Sequence, residues 1–253
     1  MSEAVCEKCG GTGWIVVERE DVSGAERCEC VQRERLENLE EKAGIPPLYR
    51  TKSLDNFLAR REDNPIATRG LQQVLLTVRA YAREYPNTPK PGLLFVGPPG
   101  TGKTHLAVAA LRMLMSRGFE GIFFDYQELL NRIRAGYDPN SGASDKEAYR
   151  TALDTEILLL DDLGAHRVLD WIEDTVTAIV TYRCNHHKPL IATTNLRDPE
   201  AGAPPLGTGV AADLASRYYL SERIGERARS RLFEMCKVIP MPGVEDFRLR
   251  RRQ

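Results

Sequence analysis

Residues 97–104 read GPPGTGKT, a match to the pattern G-x-x-x-x-G-K-[ST]. The run GLLFV (92–96) precedes it as a short buried strand, and residues 103–117 follow as a helix. In that setting Gly97, Gly100 and Gly102 let the backbone curl so that its N–H groups face a phosphate. Lys103 is placed to reach the β- and γ-phosphates, Thr104 to put its hydroxyl on Mg²⁺, and the new helix adds its positive end. The expected nucleotide-binding set is Gly97, Pro98, Pro99, Gly100, Thr101, Gly102, Lys103, Thr104 and the adjoining His105.

Four more apolar runs follow at strand length: GIFFDY (121–126), EILLLDD (156–162), PLIATTN (189–195) and KVIPM (237–241). Helix-forming segments separate them, including DWIEDTVTAIVTYR (170–183) and a basic helix over about 221–235. The alternation predicts an α/β fold, a P-loop domain with a mainly parallel central sheet. Upstream, a charged helix is expected over 31–43 with only Leu36 and Leu39 as an apolar stripe, and a second helix near 66–84. GIPPLYR (44–50) and YPNTPKPG (85–92) interrupt the chain. The expected division is residues 1–43, a small cysteine-bearing domain with its connecting helix; 44–90, a linker and helical lead-in; and 91–253, the nucleotide-binding domain.

The strand ILLLDD (157–162) ends in two carboxylates at the sheet edge where ligands of such sheets bind. Asp161 is expected in the Mg²⁺ shell with Thr104, and Asp162 as the group that orients the attacking water. Asp162 is one methylene shorter than the Glu many ATPases carry there, which predicts slow hydrolysis. Asn195 ends the next strand, where an amide bonds water or γ-phosphate or simply makes a turn. In SERIGERARSRLFEM (221–235), Arg223, Arg227 and Arg231 recur every fourth residue and share one helix stripe. That stripe is either a solvated basic face or a source of an arginine for a neighbouring subunit's γ-phosphate. Arg248 follows the last strand and is placed to return to its own subunit's nucleotide.

Of 253 residues, 42% are hydrophobic and 28% charged, and the net charge is −1. This suits a globular chain and excludes an overall basic nucleic-acid footprint, so any DNA contact must be local. The start, MSEAVCEKC, lacks a basic stretch followed by an apolar one, and no apolar run approaches membrane-spanning length. A cytoplasmic location without membrane contact is the expectation. There clustered thiols suggest metal before disulfide. Cys6 and Cys9 form a C-x2-C pair and Cys28 and Cys30 a C-x-C pair, together a Zn²⁺ ligand set; a redox pair is the alternative. Cys184 and Cys236 stand singly and are read as packing residues.

In order along the chain, FVGPPGTGKTHLA, ILLLDDLGAHR with Trp171 downstream, KPLIATTNL, and GERARSRL followed by EDFR resemble the AAA+ ATPases of the DnaC/DnaI helicase-loader and IstB group. The resemblance covers about residues 44–248. It implies Walker A roles for Lys103 and Thr104, Walker B roles for Asp161 and Asp162, and sensor 1 for Asn195. It makes Arg231 the trans-acting arginine finger, with Arg227 as rival, and Arg248 sensor 2. It implies ATP and Mg²⁺ as ligands, the replicative DNA helicase and single-stranded DNA as partners, and ATP-dependent side-by-side assembly. A transposition helper of the IstB type has the same core, and a small-molecule kinase would share only the phosphate loop.

Overall fold

The computed structural model describes residues 6–19, 22–57, 65–137, 143–165, 169–202, 218–244 and 246–247. The chain begins with a hairpin, β1 (Trp14–Arg19) and β2 (Val22–Arg27), and helix α1 (Glu29–Lys42). Helix α2 (Pro65–Glu84) leads into β3 (Gly92–Val96), α3 (Lys103–Ser116), β4 (Gly121–Asp125), α4 (Tyr126–Ala135) and α5 (Ala143–Asp154). Next come β5 (Ile157–Asp161), α6 (Asp170–Asn185), β6 (Leu190–Thr194), α7 (Ser221–Ile224), α8 (Glu226–Met235) and β7 (Cys236–Pro240).

The five later strands form one parallel sheet in the order β4-β5-β6-β3-β7. β3 and β6 are buried throughout, which explains their unbroken apolar character. The order dictates where the helices go. From β3 the chain crosses to the far edge at β4 and then works back through β5 and β6 to β7. Right-handed crossovers put α3 on one face and the returning helices on the other. The two cores follow that division. One gathers Leu71, Val74 and Val78 of α2 with Leu106, Ala107 and Leu111 of α3. The other gathers Leu129 and Ile133 of α4, Val176 and Ile179 of α6, and Ala228 and Leu232 of α8.

The five predicted strands and the helices near 66–84 and 103–117 are present within a residue or two. The hairpin β1–β2 was not anticipated, although WIVVER (14–19) is a β-branched run; helix α5 was not anticipated either. The basic helix is two helices, broken at Gly225 with φ +79°. A side chain there would collide with the Glu173 carboxylate. Helix α1 does more than connect. Its Glu40 is buried and pairs with Arg112 of α3 at 2.6 Å, and Arg112 also donates to the Lys52 carbonyl.

Arg183 on α6 is fully buried. Its Nη1 donates to the carbonyls of Ala152, Leu153 and Thr155, and its Nη2 to those of Glu156 and Pro189. One guanidinium therefore joins the turns that enter β5 and β6. Burial pulls its pKa down to about 10. Arg183→Met is expected to cost about 3 kcal/mol or more, because it orphans several carbonyls. Lys is not expected to restore the loss, since an ammonium lacks the planar fork. The urea unfolding midpoint checks this; a change under about 1 kcal/mol contradicts it.

Candidate nucleotide and metal sites

The chain direction reverses at β3, so the carboxyl ends of β3 and β6 flank a topological switch point. Residues 97–102 leave β3 there as a loop and enter α3 at Lys103. Gly102 has φ +91°, and a side chain there would meet the Phe57 ring at 2.7 Å. Thr101 Oγ1 donates to the Pro98 carbonyl and closes the loop.

Lys103 is buried, and its Nζ donates to the carbonyls of Gly97 and Pro98 and to Asn195 Oδ1, the last at 2.7 Å. Asn195 Nδ2 in turn donates to Asp162 Oδ1. Thr104 Oγ1 donates to Asp161 Oδ1 at 2.9 Å. Lys103, Thr104, Asp161, Asp162 and Asn195 are thus brought together from three strand ends, β3, β5 and β6. Burial raises the Asp161 pKa, neighbouring Asp162 and Asp125 raise it further, and the Thr193 and Thr104 hydroxyls oppose them. A cation would offset that penalty. The donor set, a carboxylate beside a hydroxyl, is all hard oxygen and fits Mg²⁺.

His105 lies on α3 with Nε2 2.9 Å from the Ser53 carbonyl, and its ring meets Phe57 edge-on at 5.2 Å. Burial lowers its pKa. It holds residues 53–57 against the start of α3. Motif spacing gave no sign of this segment, because the contact spans some fifty residues of chain. Arg248 lies outside the described residues. Just before it, Phe247 N–H donates to the Gly100 carbonyl and Asp246 packs against Gly100.

Arg231 is half-exposed and pairs with Glu234 at 2.6 Å. With Arg227 it lines a groove of about 1100 Å³ that also includes Asp174, Thr181 and Ser230, and no phosphate-loop residue lines it. Helix α8 is tied back to the end of β6 by Arg229, which binds the buried Asp198 through two hydrogen bonds of 2.7 and 2.8 Å. Phe123, Phe124 and Tyr219 are buried, whereas Tyr218 is exposed.

The Sγ atoms of Cys6, Cys9, Cys28 and Cys30 all lie within 4.8 Å of one another. The Cys6–Cys28 and Cys9–Cys30 separations are 3.8 and 3.5 Å. A tetrahedral Zn²⁺ with bonds near 2.3 Å sets its sulfurs about 3.8 Å apart, so the cluster fits zinc. The Gly13 N–H donates to Cys9 Sγ, and this bond leads the effects that hold the Cys9 thiol down to about 6. Cys236 is buried in the core and Cys184 is half-buried on α6, as packing residues would be.

Residues 69–200 match the family of IstB-like ATP binding proteins. The replicative helicase loader DnaC of Escherichia coli (strain K12) is 24% identical over 188 residues, 73% of either chain. The protein YqaM of Bacillus subtilis (strain 168) is 25% identical over 178 residues, 68% of this chain but 55% of YqaM. A crystal structure of the DnaC helicase loader superimposes with a TM-score of 0.59 and 31% identity, covering 77% of this chain and 98% of that one. No helix among the described residues is long and apolar enough to cross a membrane. The chain belongs to the IstB-like ATP-binding protein family and is an AAA+ ATPase.

Proposed function

We propose that this protein is an ATP-dependent loader of the replicative DNA helicase that grips single-stranded DNA and hydrolyses ATP as replication starts. The observation that carries this reading is the similarity to the DnaC helicase loader over nearly that whole chain. The cysteine cluster supports a separate zinc-held module, residues 1–43, as the helicase contact, with 44–90 leading into the ATPase domain at 91–253. The test mixes purified protein with the host's replicative helicase, with and without ATP. A complex is expected; its absence under both conditions would defeat the loader reading. A transposition helper is the second reading, favoured by the family match itself. Binding to a transposase in place of the helicase would establish it.

In the proposed cycle, the backbone of 97–102 and Lys103 hold the phosphates. Thr104 and Asp161 would hold Mg²⁺, which would supply positive charge against the phosphates. Asp162 and Asn195 orient the attacking water, and the short Asp162 keeps turnover slow. Arg248 reads the nucleotide of its own subunit. Arg231 reaches the γ-phosphate of a neighbour, with Arg227 one turn away as the alternative. ATP-bound subunits assemble side by side and part after hydrolysis. DNA binding through phosphates would weaken steeply with salt.

The trans role has a distinctive signature. Arg231→Ala is expected to lower turnover at least about tenfold. Mixing Arg231→Ala with Lys103→Ala subunits should restore part of it, because some interfaces then hold an intact Lys103 and an intact Arg231. If no mixing ratio restores activity, Arg231 does not act across the interface.

A further inference from the structure

The buried hydroxyl of Thr193 has no role in the proposed cycle. Thr193 sits on β6, two residues before Asn195, and is 1% exposed. Its Oγ1 donates to Asp161 Oδ1 at 2.6 Å and accepts the Asp162 backbone N–H at 2.9 Å. One side chain therefore touches both acidic residues, the first through its carboxylate and the second through its main chain.

Two features make that contact consequential. Thr104, in the first turn of α3, and Thr193, on β6, both donate to the same oxygen of Asp161, Oδ1. This sets the carboxylate's rotation and leaves Oδ2 as the oxygen for a cation's hydration shell. Asp162 has φ +58°, a left-handed conformation uncommon outside glycine and most accessible to Asn and Asp among the rest. Such a backbone persists only where its surroundings hold it. Here the Thr193 hydroxyl holds its N–H and the Asn195 amide holds its side chain. The turn aims the Asp162 carboxylate at Asn195, which also contacts Lys103.

We infer that Thr193 is the positioning residue of the site, orienting Asp161 for Mg²⁺ and holding Asp162 in its left-handed turn. This rests on the proposed roles of Asp161 and Asp162. Thr193 acts through the Asp161 carboxylate and the Asp162 main chain. Valine at 193 keeps the shape and loses both hydrogen bonds, whereas serine keeps both. A purely structural threonine on β6 would tolerate valine well, since β-branched residues suit a buried strand.

The experiment measures ATP affinity with Mg²⁺ and in EDTA, alongside turnover, for Thr193→Val, Thr193→Ser and Asp161→Asn. In Thr193→Val, the gain in ATP affinity on adding Mg²⁺ is expected to shrink about tenfold, with affinity in EDTA unchanged and turnover reduced at least about tenfold. Thr193→Ser should restore most of both. Thr193→Val with a wild-type Mg²⁺ response overturns the inference, as does a Ser variant as impaired as Val. If Val fails to fold, the Ser variant against Thr193→Ala decides on the same readouts. Asp161→Asn separates the two levels. If it also leaves the Mg²⁺ response intact, the assignment of the metal site is wrong; if only Thr193→Val does, the positioning role alone is wrong.

Discussion

Lys103→Ala is expected to reduce ATP turnover by about 10³-fold. The lysine is buried, and it donates to oxygens of the loop after β3 and of the residue after β6. Its charge is thus held at the switch point, where a phosphate chain would take over those contacts. Alanine removes the cation that offsets developing charge on the transferred group, in a site where screening by water is weak. The fold should survive. Gly97 is half-buried and Pro98 exposed, so their carbonyls can bond water instead. The checks are steady-state hydrolysis, affinity for a fluorescent ATP analogue, and thermal melting without nucleotide. The ATP-dependent assembly proposed above should disappear with the turnover. Activity within tenfold of wild type, with melting unchanged, would remove Lys103 from the catalytic assignment.

Removing zinc, or changing Cys9 to Ser, is expected to unfold the N-terminal module. A two-stranded hairpin is marginal in water without further support. Exposed Trp14 and Val16 show how little core β1 and β2 have of their own. Structural zinc supplies an apparent binding free energy of about 10–16 kcal/mol in comparable peptides, which becomes folding free energy. Binding displaces thiol protons, so zinc affinity should weaken as pH falls. The lower end of α1 should hold longer, because Glu40 is paired with Arg112 and Ala43 is buried in the main core. Metal analysis should find one zinc per chain, and hydrogen exchange should show protection of residues 14–27 lost on chelation. Basal ATP turnover should persist while helicase capture fails. A hairpin equally protected after complete chelation would rule out metal as its support.

The N-terminal residues also mark where local pattern was a poor guide. The four cysteines announced the thiol cluster because residue type and close pairing are chain-local properties. The hairpin between the pairs was hidden. Its strands lack a buried face and alternate weakly, so periodicity had little to detect. Ser53, Phe57 and Asp198 carried no motif, yet they brace α3 and, through Arg229, α8 by contacts between distant parts of the chain.

By itself the sequence determined the phosphate loop, the acidic strand end, the succession of the five strands of the parallel sheet, and the thiol cluster. Each depends on residue type at short spacing, and apolar strands bounded by glycine and polar ends have few other conformations open to them. Only the tertiary structure decided that Thr193 joins Asp161 to Asp162, that Arg183 binds five carbonyls, and that His105 closes on Ser53. The physical reason is common to all three. A buried hydrogen-bonding group must find a partner once water is excluded, and which partner it finds depends on which strands the fold sets side by side.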